Sequence, residues 1–419
     1  MGNWLNQVVL RGESIHDGLS LKRQQSLQLL KNTPQPTRKT EAWKYTSLRS
    51  LEQLDLPKPL ADNNDTTFEP IANLDTLDLV FIDGQLQNPL DLHTIPGLQI
   101  SRLGDPSHQA ELNQLFSSVK PNRHYFGLVN DVLATNGLLI EVEANTRVNK
   151  PIRIVSKLRQ GGEAHLRLLV RLGHDASLTL IEQGDGNDAS INTFFSEYQL
   201  DRQAQLDHYR LNLQSQNALG FAGNHFRLDE RAQLNTNILA FGSQLSRLDV
   251  DVIHAGQNSG ANINGIYLLD QKELFDLHAC VEHTMPNGQT VETIRGIVGG
   301  EARAVFNGRI HIHPHAQKTD AQLNNRNLLL SNRAEVDTKP ELEIYADDVR
   351  CAHGATVSQM EDRSLYYLQS RGVDRQQAQA MLMFGFINEL LEQMPHTEIG
   401  DWLRPQIHQR FDAAFSGQG

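Results

Sequence analysis

The feature that most restricts this chain is a short pattern recurring through its middle. Ala-x-Leu or Ala-x-Ile occurs at Ala176-Leu178, Ala204-Leu206, Ala232-Leu234 and Ala261-Ile263, at steps of 28, 28 and 29 residues, and returns at Ala321-Leu323, 60 residues on. Polar or turn-forming residues precede most copies, such as His174-Asp175, Glu230-Arg231 and Thr319-Asp320. A small residue at a corner followed by an inward apolar one suits stacked solenoid coils, each of which buries its inner face on its neighbours. Around these copies, segments such as Leu139-Ile140-Glu141-Val142-Glu143 alternate with period two, and Leu166-Arg167-Leu168-Leu169-Val170 runs nearly apolar, as strands do. Helical stripes are scarce over this stretch. The fold class expected is mainly β, with a β-sandwich of coincidental spacing as the competing reading.

Both flanks read as helical. Leu19, Leu21, Leu27, Leu29 and Leu30 sit among Lys, Arg and Gln until Pro34 and Pro36, which stop a helix by lacking an N–H and restricting the preceding residue. The polar, Pro/Asn/Asp-rich stretch from about 56 to 75 reads as a linker. Asp374 is placed to cap a helix carrying Ala378, Met381, Leu382, Phe384, Phe386, Leu390 and Leu391, which Pro395 ends. The division expected is 1–75 N-terminal helical, 76–137 mixed connecting, 138–358 β core and 359–419 C-terminal helical. A segment with basic and aromatic residues, Arg38, Lys39, Trp43 and Tyr45, is expected to anchor the N-terminal helices to the body.

Several functions are excluded. A formal charge of −12 without a compensating basic run disfavours nucleic acid, whose phosphates it repels. No stretch approaches the roughly 18 apolar residues of a membrane helix. Two cysteines, Cys280 and Cys351, cannot build a disulfide framework, and residues 1–7 carry no secretion pattern. A cytoplasmic protein with free thiols is the expectation. The phosphate loop, His-Glu-x-x-His, Cys-x-x-Cys and Gly-x-Ser-x-Gly signatures are all missing, so no ATP site of its own is expected. A carbohydrate-acting β-helix is disfavoured because no carboxylate pair stands out.

Two segments carry ligand chemistry. His311-Ile312-His313-Pro314-His315 puts three imidazoles at period two, a metal-capturing ladder that Pro314 disturbs and that has no acidic or thiol ligand adjacent in sequence. A metal-dependent enzyme using His311, His313 and His315 is the alternative reading of function. In the segment from Leu342 to Thr356, an extended strand would put Asp347, Val349, Cys351 and His353 on one face. Cys351 and His353 would then lie about 7 Å apart along the strand. Thiolate and imidazole both suit iron, zinc or copper, but two ligands leave a site incomplete.

That segment also carries a resemblance. Asn327-Leu328-Leu329-Leu330-Ser331, Ala334-Glu335-Val336-Asp337-Thr338-Lys339-Pro340 and Ala346-Asp347-Asp348-Val349-Arg350-Cys351-Ala352-His353-Gly354-Ala355-Thr356 closely resemble the SufB/SufD family of iron–sulfur cluster assembly scaffolds. Residues 36–46 and 367–381 resemble its N-terminal and C-terminal segments. Arg350, Ala352 and Ser358 stand where lysine, serine and glycine are usual, and His315 fits the pattern while His311 and His313 do not. The resemblance implies a right-handed parallel β-helix core flanked by helical regions and a non-catalytic scaffold role. It implies a SufB-like paralogue paired through the end of the β-helix and a SufC-like ABC ATPase docked on the C-terminal helices. Transient iron or a nascent cluster would be shared with the SufB-like chain. His353 is then the expected iron ligand, Cys351 a thiolate or a packing residue, and Asp347 a weak outer partner. A homodimer of the isolated chain is an open expectation.

Overall fold

The computed structural model describes residues 3–52, 54, 68–90, 95–186, 189–213 and 217–416. Most of the expected 56–75 linker lies outside them.

The core is a parallel β-solenoid in which successive strands alternate between two sheets. One sheet stacks Leu77–Ile82, Ile152–Leu158, Ser177–Gly186, Gln205–Asn212, Gln233–Phe241, Gly260–Leu269, Gln289–Val298, Asp320–Leu329 and Arg350–Gln359. The other stacks Asn136–Val142, Glu163–Leu172, Ile191–Leu200, Leu219–Leu228, Leu245–His254, Leu274–His283, Arg303–Ile312 and Glu335–Ile344. Antiparallel strands Gln85–Leu86 and Leu98–Arg102 close the N-terminal end of each sheet. The first sheet thus begins within residues 76–137, where Leu77–Ile82 pairs with Ile152–Leu158.

The repeat marks the coil corners. Asp175, Gln203 and Arg231 adopt positive φ of 57–59°, and each is followed by a fully buried alanine, Ala176, Ala204 or Ala232. The left-handed conformation costs a non-glycine residue about 1 kcal/mol. Its N–H reaches the next coil in return: Asp175 donates to Arg202 O at 3.0 Å, Gln203 to Glu230 O at 2.8 Å and Arg231 to Gln257 O at 3.0 Å. Leu178, Leu206 and Leu234 then stack in register inside the solenoid. The fourth copy is offset, because Ala261 pairs with Leu234 rather than occupying a corner. Asn258 and Ser259 take the corner there. An offset of two residues keeps the same face inward, so Ala261 and Ile263 remain buried.

Helices cover the outer faces. On the second sheet, Asn3–Ser14, Ser20–Asn32 and Tyr125–Leu133 set Leu5, Val8, Leu27 and Val129 against Ile191, Phe195, Phe221 and Leu245. Trp43 is buried there, 5.6 Å from Phe126 and beneath the Arg247 guanidinium at 4.1 Å, which is the anchoring role expected of it. On the first sheet, Arg375–Glu392 and Thr397–Ser416 bury Met383, Ile387, Leu390, Leu403 and Ile407 against Tyr209, Leu239, Ile266 and Ile297. The Asp374 carboxylate caps the first of these, accepting from Gln377 N at 3.0 Å. Residues 184–186 finish a strand in register with 156–158.

Candidate functional site: the open terminal coil

At the C-terminal end of the solenoid each sheet ends, among the described residues, on a strand paired on one side only. Arg350–Gln359 pairs only with Asp320–Leu329, and Glu335–Ile344 only with Arg303–Ile312, among the described residues. Earlier coils bury their inner faces on the next coil, but here there is none, and almost every residue of Arg350–Gln359 is exposed. Ile344, Tyr345 and Val357 are large apolar side chains left in solvent. Pro340, which cannot donate to a ladder, is tolerated on such an edge.

Register assigns the faces. Cys351 continues the inward column of Ala321, and His353 that of Leu323, both of which are buried. Cys351 and His353 therefore share the inward face, as expected of their spacing. Cys351 is half-buried against the core, and that burial pushes its thiol up. His353 is exposed, and no hydrogen bond or ion pair engages its ring among the described residues. Asp347 departs from the expectation: it lies in the bend before the strand, which starts at Arg350, so it shares no strand face with Cys351.

The imidazole ladder is rearranged as well. His311 and His313 stack with ring centroids 4.3 Å apart, whereas His315 sits exposed in the turn beyond Pro314. The three histidines do not form one site. Glu282 takes the third place, because parallel register sets it beside His311. Burial, then His313 and Arg309, lower the His311 pKa and favour its neutral ring. Sequence reading missed Glu282, although it precedes His311 by 29 residues, the step of the repeat itself.

A second cluster went unread. His124 Nε2 and His225 Nδ1 meet Asp251 Oδ2 at 2.6 and 2.8 Å, and His124 Nδ1 lies 3.3 Å from Asp249 Oδ2. Burial works to lower the His124 pKa, but Asp249 and Asp251 outweigh it and raise the ring to about 9. With Arg123 paired to Asp251 and Arg247 to Asp249 and Asp276, this is a charge-balanced clamp between the N-terminal layer and the solenoid. Cys280 neighbours Asp251 in the ladder, and burial first, then Asp251, push its thiol up to about 11.

Comparison with known proteins agrees with this architecture. The family model described as "SUF system FeS cluster assembly, SufBD core domain" matches residues 155–386. The iron–sulfur cluster assembly protein SufD of Escherichia coli is 33% identical over 93% of this chain and 93% of its own length. A SufBD family protein of Synechocystis is 28% identical over 93% of this chain and 90% of its own. The chloroplastic protein ABCI7 of Arabidopsis thaliana is 26% identical over 96% and 90%.

Proposed function

This chain belongs to the SufB/SufD family of iron–sulfur cluster assembly proteins, and on that premise we propose that it is the scaffold subunit whose open coil receives a SufB-like paralogue. The carrying observation is the pair of unpaired parallel edges at Glu335–Ile344 and Arg350–Gln359. An exposed parallel edge with apolar residues beside it is costly to leave bare, and strand addition from another chain would cover it. A related solenoid end would supply matching inward columns, with Ile344 and Val357 buried between them. A second copy of this chain could meet the same edge less well when no paralogue is present.

His353 would then lie between two chains. Its column leads straight to the joint, and a neutral imidazole there could bind iron while the paralogue supplies the ligands that this chain lacks. Iron and the nascent cluster are cargo in this reading. Cys351 would contribute either a thiolate or packing; its raised thiol pKa favours packing until a metal or the partner lowers it. The chain would perform no chemistry alone, and ATP hydrolysis would belong to a SufC-like ABC ATPase. The helices Asp362–Ser370 and Arg375–Glu392 expose Tyr366, Tyr367 and Met381, an apolar and adaptable surface suited to that subunit.

Co-expression with SufB-like and SufC-like chains tests this assignment. The three should purify as one complex. Val357→Asp should release the SufB-like chain and Met381→Asp the ATPase, each without the other. Purification of this chain as a monomer with neither partner would refute the proposal.

A further inference from the structure

We propose that Glu282, His311 and His313 form an exchangeable site for a divalent transition-metal ion on the outer face of the solenoid, beside the terminal strand Glu335–Ile344 but made of none of its residues. His311 lies at the end of Arg303–Ile312, His313 directly follows that strand, and Glu282 belongs to Leu274–His283. His353 lies on the other sheet and faces inward. The two places therefore share no residue.

The donors converge without hydrogen-bonding to one another. One donor atom from each of the three side chains lies within 4.8 Å of the others. Glu282 Oε2 is 3.6 Å from His313 Nε2, too far for a hydrogen bond. Two neighbouring ligands of one ion, with bonds of about 2.1 Å, stand roughly 3.0–3.4 Å apart, so a small side-chain rotation would suffice. His313 Nε2 is shielded from solvent and has no hydrogen-bond partner. Leaving such an atom unmatched costs about 1–3 kcal/mol, and a bound cation would remove that cost.

The surroundings fix both affinity and access. Arg309 donates to His311 Nδ1 at 2.9 Å and holds Glu343 with two bonds of 2.8 and 2.7 Å. Its donation leaves the lone pair of His311 on Nδ1, where a metal would displace one N–H while Arg309 keeps Glu343. A cation competing at that atom makes the site a weak, releasing one rather than a structural one. Glu282 and His311 line a groove together with Arg123, Cys280, Arg309 and Glu343, so an ion reaches the site from solvent. Two imidazoles and one carboxylate with positions left open suit iron(II), and zinc or cobalt as probes. The claim concerns binding by this chain and does not depend on how the terminal coil is used.

The test is an anaerobic Co2+ titration of the purified full-length chain in excess citrate, followed by the visible ligand-field bands. One equivalent should bind. Glu282→Gln, His311→Ala and His313→Ala should each weaken it by more than the ~10–100-fold that loss of an outer partner costs. His315→Ala and His353→Ala should leave it unchanged. Absence of a stoichiometric band in the unaltered chain means adventitious binding only and overturns the proposal. So does a band that survives both Glu282→Gln and His313→Ala, or one lost only with His353→Ala.

Discussion

His353 stands one rung beyond Leu323 in the same inward column of the solenoid. Leu323 is 2% exposed, whereas His353 is open to solvent. The apolar filling of the coils thus gives way to an imidazole where the stacking stops. A column that needs a neighbour on every rung, and finds none on its last, is the physical basis for pairing with another chain.

Burial of that last rung predicts a graded loss of assembly. Val357→Asp and Ile344→Asp put charge where the coil should be desolvated. Each should cost about 2 kcal/mol or more of pairing, read as Kd by sedimentation. The melting temperature of the isolated chain should stay unchanged, since both side chains are already exposed.

Glu292 predicts a pH effect on stability. It is buried inside the solenoid with neither carboxylate oxygen hydrogen-bonded, and burial pushes its pKa up to about 8. The folded state holds this proton more tightly than the unfolded state, whose pKa is about 4.3. The contribution is therefore full below that value and lost as pH rises through 8. Glu292→Gln should raise stability at pH 7 by on the order of 3–4 kcal/mol. Denaturant melts at pH 5 and pH 7 would show the gain growing with pH.

The His124 clamp shifts in the same direction for a different reason. Its folded pKa is raised to about 9 against about 6.5 unfolded, so its stabilisation is full below 6.5 and lost as pH rises through 9. The loss should approach ~3 kcal/mol. Asp249, Asp251, His225, Arg123 and Arg247 face it, and none of them replaces its proton. Amide protection factors of Tyr125–Leu133, taken against the intrinsic base-catalysed exchange rate at each pH, should fall between pH 7 and 9.5, and His124→Gln should abolish that fall.

The two thiols should differ in reactivity. Cys280 is pushed up to about 11 and is more deeply buried, while Cys351 is raised but half-buried at an open edge. Alkylation at pH 8 followed by mass spectrometry should label Cys351 first. Docking of the SufB-like chain should protect it.

Much of the fold was legible because a solenoid writes its geometry as a linear step. The Ala176, Ala204 and Ala232 corners follow from sequence directly. Ala261 continued the count only because a two-residue offset leaves the pleat facing the same way. The site was harder to read. His353 and Cys351 could be placed on one face by period two, yet their inward direction and open rung depend on where the coils end. Glu282 and His311 are neighbours only through register, as are His225 and Asp251. His124 reaches that second pair from a separate layer, a contact that no repeat encodes.

The central claim is that His353 serves cluster formation at a joint between two chains. The direct measurement is anaerobic cluster assembly in the complex with SufB-like and SufC-like chains, followed by visible absorption and circular dichroism, with and without His353→Ala. The expected result is an intact complex with normal ATP hydrolysis in which cluster formation is abolished. An intact His353→Ala complex that forms clusters at the unaltered rate would contradict it.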